Sequence, residues 1–253
     1  MLLATALATS CTTGLDELSA GPSSQPTSQP TSQPSLTSPQ PTIAEQSAGP
    51  GLRAGMRWVG LHDVVVAVPE GWATQMQPCA PAAGNTVHFL GASWHLLDCA
   101  SDPTTGVSSL TIAAVSEDVI SLGPGVDRTV EVNGLRLLHS GMSCPKSAQG
   151  PCELTFAVHQ ADVAFHVRYR GDEPDRFLRR MRESVRRLPA GHTTVPFVDY
   201  GSSIAHVDEL IRTAGLQVRF QDSEGPADVV SSEPAAGTVV KVGRVVTVLV
   251  GDG

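Results

Sequence analysis

The sequence predicts an α+β fold with three parts: a disordered N-terminal spacer, an antiparallel sheet domain that ends in a helix, and a small β/α module. Repeated Ser-Gln-Pro triplets indicate the spacer, and short β-branched runs between turn residues indicate the sheet. Two stretches with apolar residues at helical spacing indicate the helices. These patterns divide the chain into residues 1–11, 12–51, 52–190 and 193–252.

The composition limits the partners that the chain can have. Its 253 residues are 41% hydrophobic and carry a formal net charge of -8. An acidic chain gains nothing from neutralising phosphate groups, so we expect no nucleic-acid partner. No apolar run reaches the roughly 18 residues of a membrane-spanning helix. The cysteines and histidines lack the regular spacing of a zinc site, and we expect neither a metal nor a cofactor.

Residues 1–11 resemble the end of a bacterial lipoprotein signal. A short uncharged apolar stretch, residues 1–8, is followed by small residues and then by Cys11. The resemblance implies export, lipidation of Cys11 and attachment to the outer face of the plasma membrane. The alternative is ordinary signal cleavage, in which Cys11 has no role.

Residues 12–51 form a spacer rich in Ser, Thr, Gln and Pro. Proline fixes φ and removes backbone donors, while the other three residue types bury little surface, so we expect a disordered, extended segment. At about 3.1 Å per residue such a segment would hold the folded part tens of ångströms from its anchor. This layout is typical of a protein tethered at a cell surface.

The four remaining cysteines all lie in the first folded domain, at Cys79, Cys99, Cys144 and Cys152. An even number in an exported domain predicts two disulfides, and the sequence permits three pairings. We favour Cys79–Cys99 together with Cys144–Cys152, because each of these bridges closes a local loop that contains Gly and Pro.

The strands of residues 52–190 are visible as β-branched or alternating runs. Residues 64–68, 86–90 and 109–115 are three candidates. Residues 129–138 predict a hairpin, because Asn133-Gly134 suits the positive φ angles of a type I′ turn. Residues 154–169 predict a second hairpin with one buried face.

A helix is expected to close this domain, starting at Pro174 and reaching to about Leu188. Its apolar face would hold Phe177, Leu178, Met181, Val185 and Leu188. Its opposite face would hold Arg176, Arg179, Arg180, Arg182, Arg186 and Arg187. A solvated arginine face is the simplest interpretation, and a surface for anionic wall polymer or lipid headgroups is the alternative.

The last stretch carries the most specific pattern. It opens with Val-Pro-Phe-Val at residues 195–198 and continues with a helical apolar pattern that Ser202 or Ser203 can cap. Ala-Gly-Leu at residues 214–216 follows, with Gly215 able to take the left-handed conformation after the helix. Residues 229–238 read Val-x-Ser-x-x-Pro-x-x-Gly-Thr, and two strands end the pattern. Together these landmarks resemble a PASTA module.

The resemblance implies a small β/α module, an extracytoplasmic location in the cell envelope, and binding to uncross-linked peptidoglycan or muropeptides. Motif matching identifies no ligand-binding residues. Arg219, Glu233 and Arg244 are polar candidates, and solvated surface charge is the default interpretation of each.

Enzyme chemistry is weakly indicated. Ser143 and Lys146 fit the Ser-x-x-Lys pattern of penicillin-recognising enzymes, but Cys144 and Pro145 between them predict a loop where that chemistry needs a helix. We therefore expect a non-catalytic, tethered protein that binds cell-wall material. The alternatives are an interaction partner or regulator of a wall enzyme or receptor, and an enzyme that acts on wall material.

Overall fold

Fifteen strands and two α-helices make up the part of the chain that the structure describes. The computed structural model describes residues 52–75, 82–90, 106–115, 126, 128–145, 150–198, 202–226 and 231–252. The first domain contains β1 Met56–Leu61, β2 Val64–Pro69, β3 Ala73–Gln75, β4 Thr86–Leu90, β5 Ser109–Ala114, β6 Arg128–Val132, β7 Leu135–His139, β8 Cys152–Val158, β9 Val163–Tyr169, α1 Pro174–Ser184 and β10 Arg186–Arg187. The C-terminal module contains β11 His192–Thr194, α2 Ile204–Thr213, β12 Gln217–Pro226, β13 Ser231–Glu233, β14 Val239–Lys241 and β15 Val245–Asp252. The described fold is thus mostly β-sheet with two α-helices, which is an α+β fold.

A seven-stranded sheet in the order β3-β4-β5-β9-β8-β7-β6 carries the first domain. Its strands alternate, so that one face presents large apolar side chains such as Ile112, Phe156 and Phe165, all fully buried. The small sheet β1-β2-β10 and the helix α1 cover this face. The main core therefore lies between the large sheet and these covering elements.

The seven-stranded sheet is mixed, so the expectation of an antiparallel sheet is wrong for part of it. β3 pairs with β4, and β4 with β5, in parallel, whereas the other four pairs are antiparallel. Parallel neighbours need a crossover connection, and the chain between β4 and β5 is far longer than a hairpin turn. An apolar alternation looks the same in both arrangements, so the sequence pattern did not reveal this difference.

Both predicted hairpins are confirmed. β6 and β7 meet at Asn133 and Gly134, whose φ angles are 49° and 75°. β8 and β9 meet with Val158 opposite Val163. The turn residue Asn133 has a second role, because its side-chain amide donates to the carbonyl oxygens of Glu183 and Val185 at 3.1 and 2.8 Å. The hairpin turn thus caps the C-terminal end of α1.

The closing helix is shorter than the sequence pattern predicts. It ends at Ser184, and Arg186–Arg187 form β10, which pairs antiparallel with β2. The edge of β2 offers backbone hydrogen bonds that compete with continuation of the helix. The two arginines consequently do not share the helical arginine face, and Leu188 packs beside Trp58 instead of on the helix.

The C-terminal module has the elements that its sequence predicts. β12 and β15 pair in parallel, β13 joins β15 in antiparallel fashion, and α2 packs on one face of this sheet. The hydroxyl of Ser203 caps α2 by accepting from the backbone N–H of His206 at 3.3 Å. Gly215 has φ 75° after the helix, which confirms its predicted left-handed conformation.

The module is docked on the first domain, and the described residues from Leu52 onward belong to one compact unit. Val59 of β1 forms an antiparallel bridge with Thr238, and the N–H of Gly60 donates to Gly237 O at 3.2 Å. The rings of Phe89 and Phe197 stack at 5.5 Å between centroids. The sequence patterns indicated two domains and gave no sign of this contact.

Neither α1 nor α2 is long and apolar enough to cross a membrane, and this holds for all the described helical segments.

Candidate functional site

The outer face of the module's three-stranded sheet carries exposed polar side chains at positions that strand pairing fixes. Along β15, Val246 and Val248 are fully buried against α2, so Val245, Thr247 and Leu249 point to the opposite, outer side. The strand register then fixes which side chains of β12 and β13 share that side. We call this surface the outer face.

One row across the outer face places two opposite charges on either side of a hydroxyl. Thr247 pairs with Arg219 of β12 on one side and with Glu233 of β13 on the other. Two strand spacings separate the charged residues, roughly 10 Å between backbones. Both side chains are exposed. The ion pairs between described residues do not include a pair between Arg219 and Glu233.

The neighbouring rows add amide and hydroxyl groups. Gln217 lies beside Val245, and Gln221 and Ser231 lie on either side of Leu249. The face therefore combines hydrogen-bonding side chains, a cation, an anion and two partly exposed apolar side chains. Such a surface suits a ligand with peptide amides and with charged groups of both signs.

The three polar candidates from the sequence have different positions. Arg219 and Glu233 share the central row, whereas Arg244 lies in the turn before β15, where its carbonyl accepts from the N–H of Gln217 at 2.9 Å. The structure thus brings two of the three together on the outer face and leaves the third in a turn outside it. Thr247 was missed, although it is the one polar side chain in the run of residues 245–250.

The module's most specific sequence motif has a structural role. In the turn that includes Gly237, Pro234 is buried and Ala236 is part of the first domain's core. Gly237 has φ 75°, and a Cβ at this position would collide with Phe89 Cζ and lie 2.8 Å from Val59 Cγ2. This side of the module, which we call the docked turn (residues 234–238), is therefore closed to a ligand.

Two further features of the first domain are structural. Arg57 donates to the carbonyl of Trp72 at 2.6 Å and to Thr74 Oγ1 at 3.1 Å. Burial lowers the pKa of Arg57, and the Glu70 carboxylate opposes that shift. The second face of the large sheet carries a polar row in which Thr155 Oγ1 lies 2.9 Å from His166 Nδ1.

The cysteine predictions divide between described and undescribed residues. Cys144 and Cys152 are joined in a disulfide with a sequence separation of 8. Cys11, Cys79 and Cys99 lie outside the described residues, so the lipidation site and the second bridge remain predictions. Lys146 also lies outside them. Among the described residues, no three or more His, Cys, Asp and Glu side chains form a group that could hold a metal ion.

Comparison with known families agrees with the C-terminal pattern. Residues 193–252 match the PASTA domain, so the chain carries a C-terminal PASTA module with the boundaries that its sequence predicts. The curated proteins and the solved structures gave no match. PASTA domains bind peptidoglycan or muropeptides, which relates this chain to the extracytoplasmic cell envelope and to cell-wall binding at a general level.

Proposed function

We propose that this chain is a non-catalytic protein of the cell envelope that binds uncross-linked peptidoglycan through the outer face of its single PASTA module. A lipid on Cys11 tethers it to the outer side of the plasma membrane, and residues 12–51 set its reach. The first domain carries the docked module.

The observation that supports this proposal is the central row of the outer face, Arg219–Thr247–Glu233. It is the place in the described module where exposed charges of both signs lie at a spacing fixed by strand pairing. The docked turn is closed to a ligand, whereas the charged side chains of the outer face are exposed.

The chemistry of an uncross-linked stem peptide matches this row. Such a peptide has amide groups, a terminal carboxylate and a free amino group. A guanidinium binds a carboxylate through two parallel hydrogen bonds, and a carboxylate such as that of Glu233 accepts from an ammonium. Cross-linking converts the amino group into an amide, which removes the partner of Glu233. A preference for uncross-linked material follows from this loss.

Retention of the full-length chain on purified sacculi tests the proposal. We expect Arg219→Gln and Glu233→Gln each to weaken binding about fivefold to tenfold, which corresponds to roughly 1 kcal/mol. Lys241→Gln and Glu209→Gln are the matched controls, because both residues are exposed on the same module away from the outer face and remove the same charge. We expect less than a twofold change from either control.

Four results would contradict the proposal. Equal weakening by the variants and their controls, or loss of all binding in moderate salt, would indicate nonspecific electrostatics. Absence of retention would favour the interaction-partner alternative. Altered muropeptides after incubation with the protein would favour an enzyme. The anchor is tested separately, because Cys11→Ser should release the protein from the membrane fraction.

A further inference from the structure

A groove lies between the outer side of the β1–β2 ribbon and the C-terminal half of α1. Its volume is about 460 Å³, which falls within the range of roughly 300–1,000 Å³ typical of small-molecule sites. Trp58, Ala67 and Met181 line it, each less than a tenth exposed. Met56 and Phe177, which are partly buried, also line it. These five residues form the apolar floor of the groove, which includes two aromatic rings.

The groove exists because one side chain of β2 is small. β2 reads Val-Val-Val-Ala-Val-Pro, and its single alanine, Ala67, pairs directly opposite Trp58. Ser184 fixes the nearby end of α1, because its hydroxyl accepts from the N–H of Ala67 at 2.9 Å and donates to Met181 O at 2.6 Å. One hydrogen bond therefore joins the ribbon to the end of the helix beside the opening, and a second lies within the helix.

Positive charge surrounds this apolar floor. Arg53, Arg180 and Arg186 line the groove, and Glu183 is the one carboxylate among the lining residues. The Arg186 guanidinium lies 4.4 Å from the centroid of the Trp58 ring, within cation–π range. The groove lining is therefore cationic in a chain whose formal net charge is -8.

Two arginines of the wider surface differ from Arg53 and Arg180 of the groove. Arg176 pairs with Glu173 at 2.8 Å, and Arg187 pairs with Asp63. The ion pairs found among the described residues include neither Arg53 nor Arg180. Among the described residues, Arg53 and Arg180 thus place positive charge beside the apolar floor.

We infer that the groove binds a single-chain anionic amphiphile, whose aliphatic chain lies on Trp58, Ala67 and Met181 and whose headgroup meets Arg53 and Arg180. Apolar contact along the floor supplies the affinity, and the arginines select a carboxylate or phosphate headgroup. This site is independent of the PASTA module and gives the first domain a ligand of its own.

Calorimetric titration of the delipidated full-length chain tests the ligand class. The probes are laurate, the dodecyltrimethylammonium ion, which has the same chain length and the opposite charge, and acetate, all below micelle-forming concentrations. We expect laurate to bind at least tenfold more tightly than the cation, and acetate to show no binding. No binding of laurate, or equal binding of laurate and the cation, would overturn the inference.

Substitutions locate the site. Ala67→Leu fills the groove and should weaken laurate binding more than tenfold, with circular dichroism used to check the fold. Arg180→Gln should weaken it about fivefold, whereas Arg179→Gln, at the neighbouring exposed helix position outside the groove lining, should change it less than twofold.

The Arg180→Gln and Arg179→Gln pair keeps the inference testable if Ala67→Leu does not fold. Unchanged binding by a folded Ala67→Leu, or equal effects of the two arginine variants, would place the ligand elsewhere and overturn the inference. Arg180→Gln should leave retention on sacculi unchanged, so failure of this inference and failure of the wall-binding proposal give different results.

Discussion

The docked turn and the outer face are two surfaces of one small module with opposite properties. The docked turn presents two small residues, Ala236 and Gly237, to the first domain. The outer face presents Arg219 and Glu233 to solvent. A Cβ does not fit at Gly237 of the first surface, whereas the second surface carries exposed charged side chains.

The two surfaces have different roles, docking for one and proposed ligand binding for the other, and the family motif does not distinguish them. The Pro-x-x-Gly-Thr pattern identifies the module, yet in this chain it fixes the module's position and is not available for binding. The residues with exposed functional groups lie on strands whose motif positions are less distinctive. A match to a family motif therefore identifies the fold, and the binding chemistry has to be sought on the surface that remains open.

The largest expected effect comes from Gly237→Val. A valine backbone there must adopt positive φ, and its side chain must displace Phe89 or Val59. We therefore expect the free energy of unfolding to fall by about 3 kcal/mol or more. Gly243→Val is the control, since Gly243 has a similar φ of 84° but a Cβ at this position would have no atom within 4 Å. It should cost about 1–2 kcal/mol. Equal losses in urea unfolding would show that the docked turn is not packed as described.

Breaking the Cys144–Cys152 bridge should have the next largest effect. The bridge closes a short loop with a sequence separation of 8, so removing it with paired Ser substitutions should lower the free energy of unfolding by roughly 2–3 kcal/mol. The bridge belongs to neither module surface, so the folded variant should retain its binding to sacculi. Selective loss of binding in a folded variant would show that the outer face depends on the first domain.

Phe197→Ala should cost about 2 kcal/mol in the full-length chain, because the partly buried ring loses its stacking on Phe89. In the excised segment 193–252 the partner ring is absent, so the same substitution should change stability by less than about 1 kcal/mol. Phe220→Ala is the matched control, since Phe220 packs in the module's own core. It should destabilise both proteins, and thermal unfolding of the four variants measures the contrast.

Thr247→Val should have the smallest effect on stability. Thr247 is partly exposed and valine has a similar shape and high β-propensity, so we expect a change within about 0.5 kcal/mol. Retention on sacculi should nevertheless fall, because the hydroxyl between Arg219 and Glu233 is lost. A larger change in stability than in retention would assign Thr247 a packing role.

Local features were predictable from the sequence, and features set by strand register were not. Asn133-Gly134 identified its hairpin because a type I′ turn demands those φ angles within two residues. Gly215 was identified in the same way from the end of α2. By contrast, the row of Arg219 and Glu233 depends on how β12 and β13 align on β15, which no local pattern specifies.

The groove and the contact between the docked turn and the first domain were not predicted from the sequence, for a related reason. Ala67 reads as one more apolar residue of a strand until its pairing with Trp58 is known. Gly237 predicts a turn, but its close approach to Phe89 joins distant parts of the chain and has no local sequence signal. The early end of α1 likewise depends on the edge of β2, which competes for the backbone of Arg186.

The bridge between Val59 and Thr238 joins residues near the two ends of the described chain. A contact of such high sequence separation forms late, because most of the chain has to be in place before its closure entropy is offset. During synthesis or export from the N-terminus, β1 cannot form its bridge to Thr238 until the C-terminal module is present. A chain cut short before Thr238 would keep this side of the first domain uncovered, and we expect such truncated chains to aggregate or to be degraded.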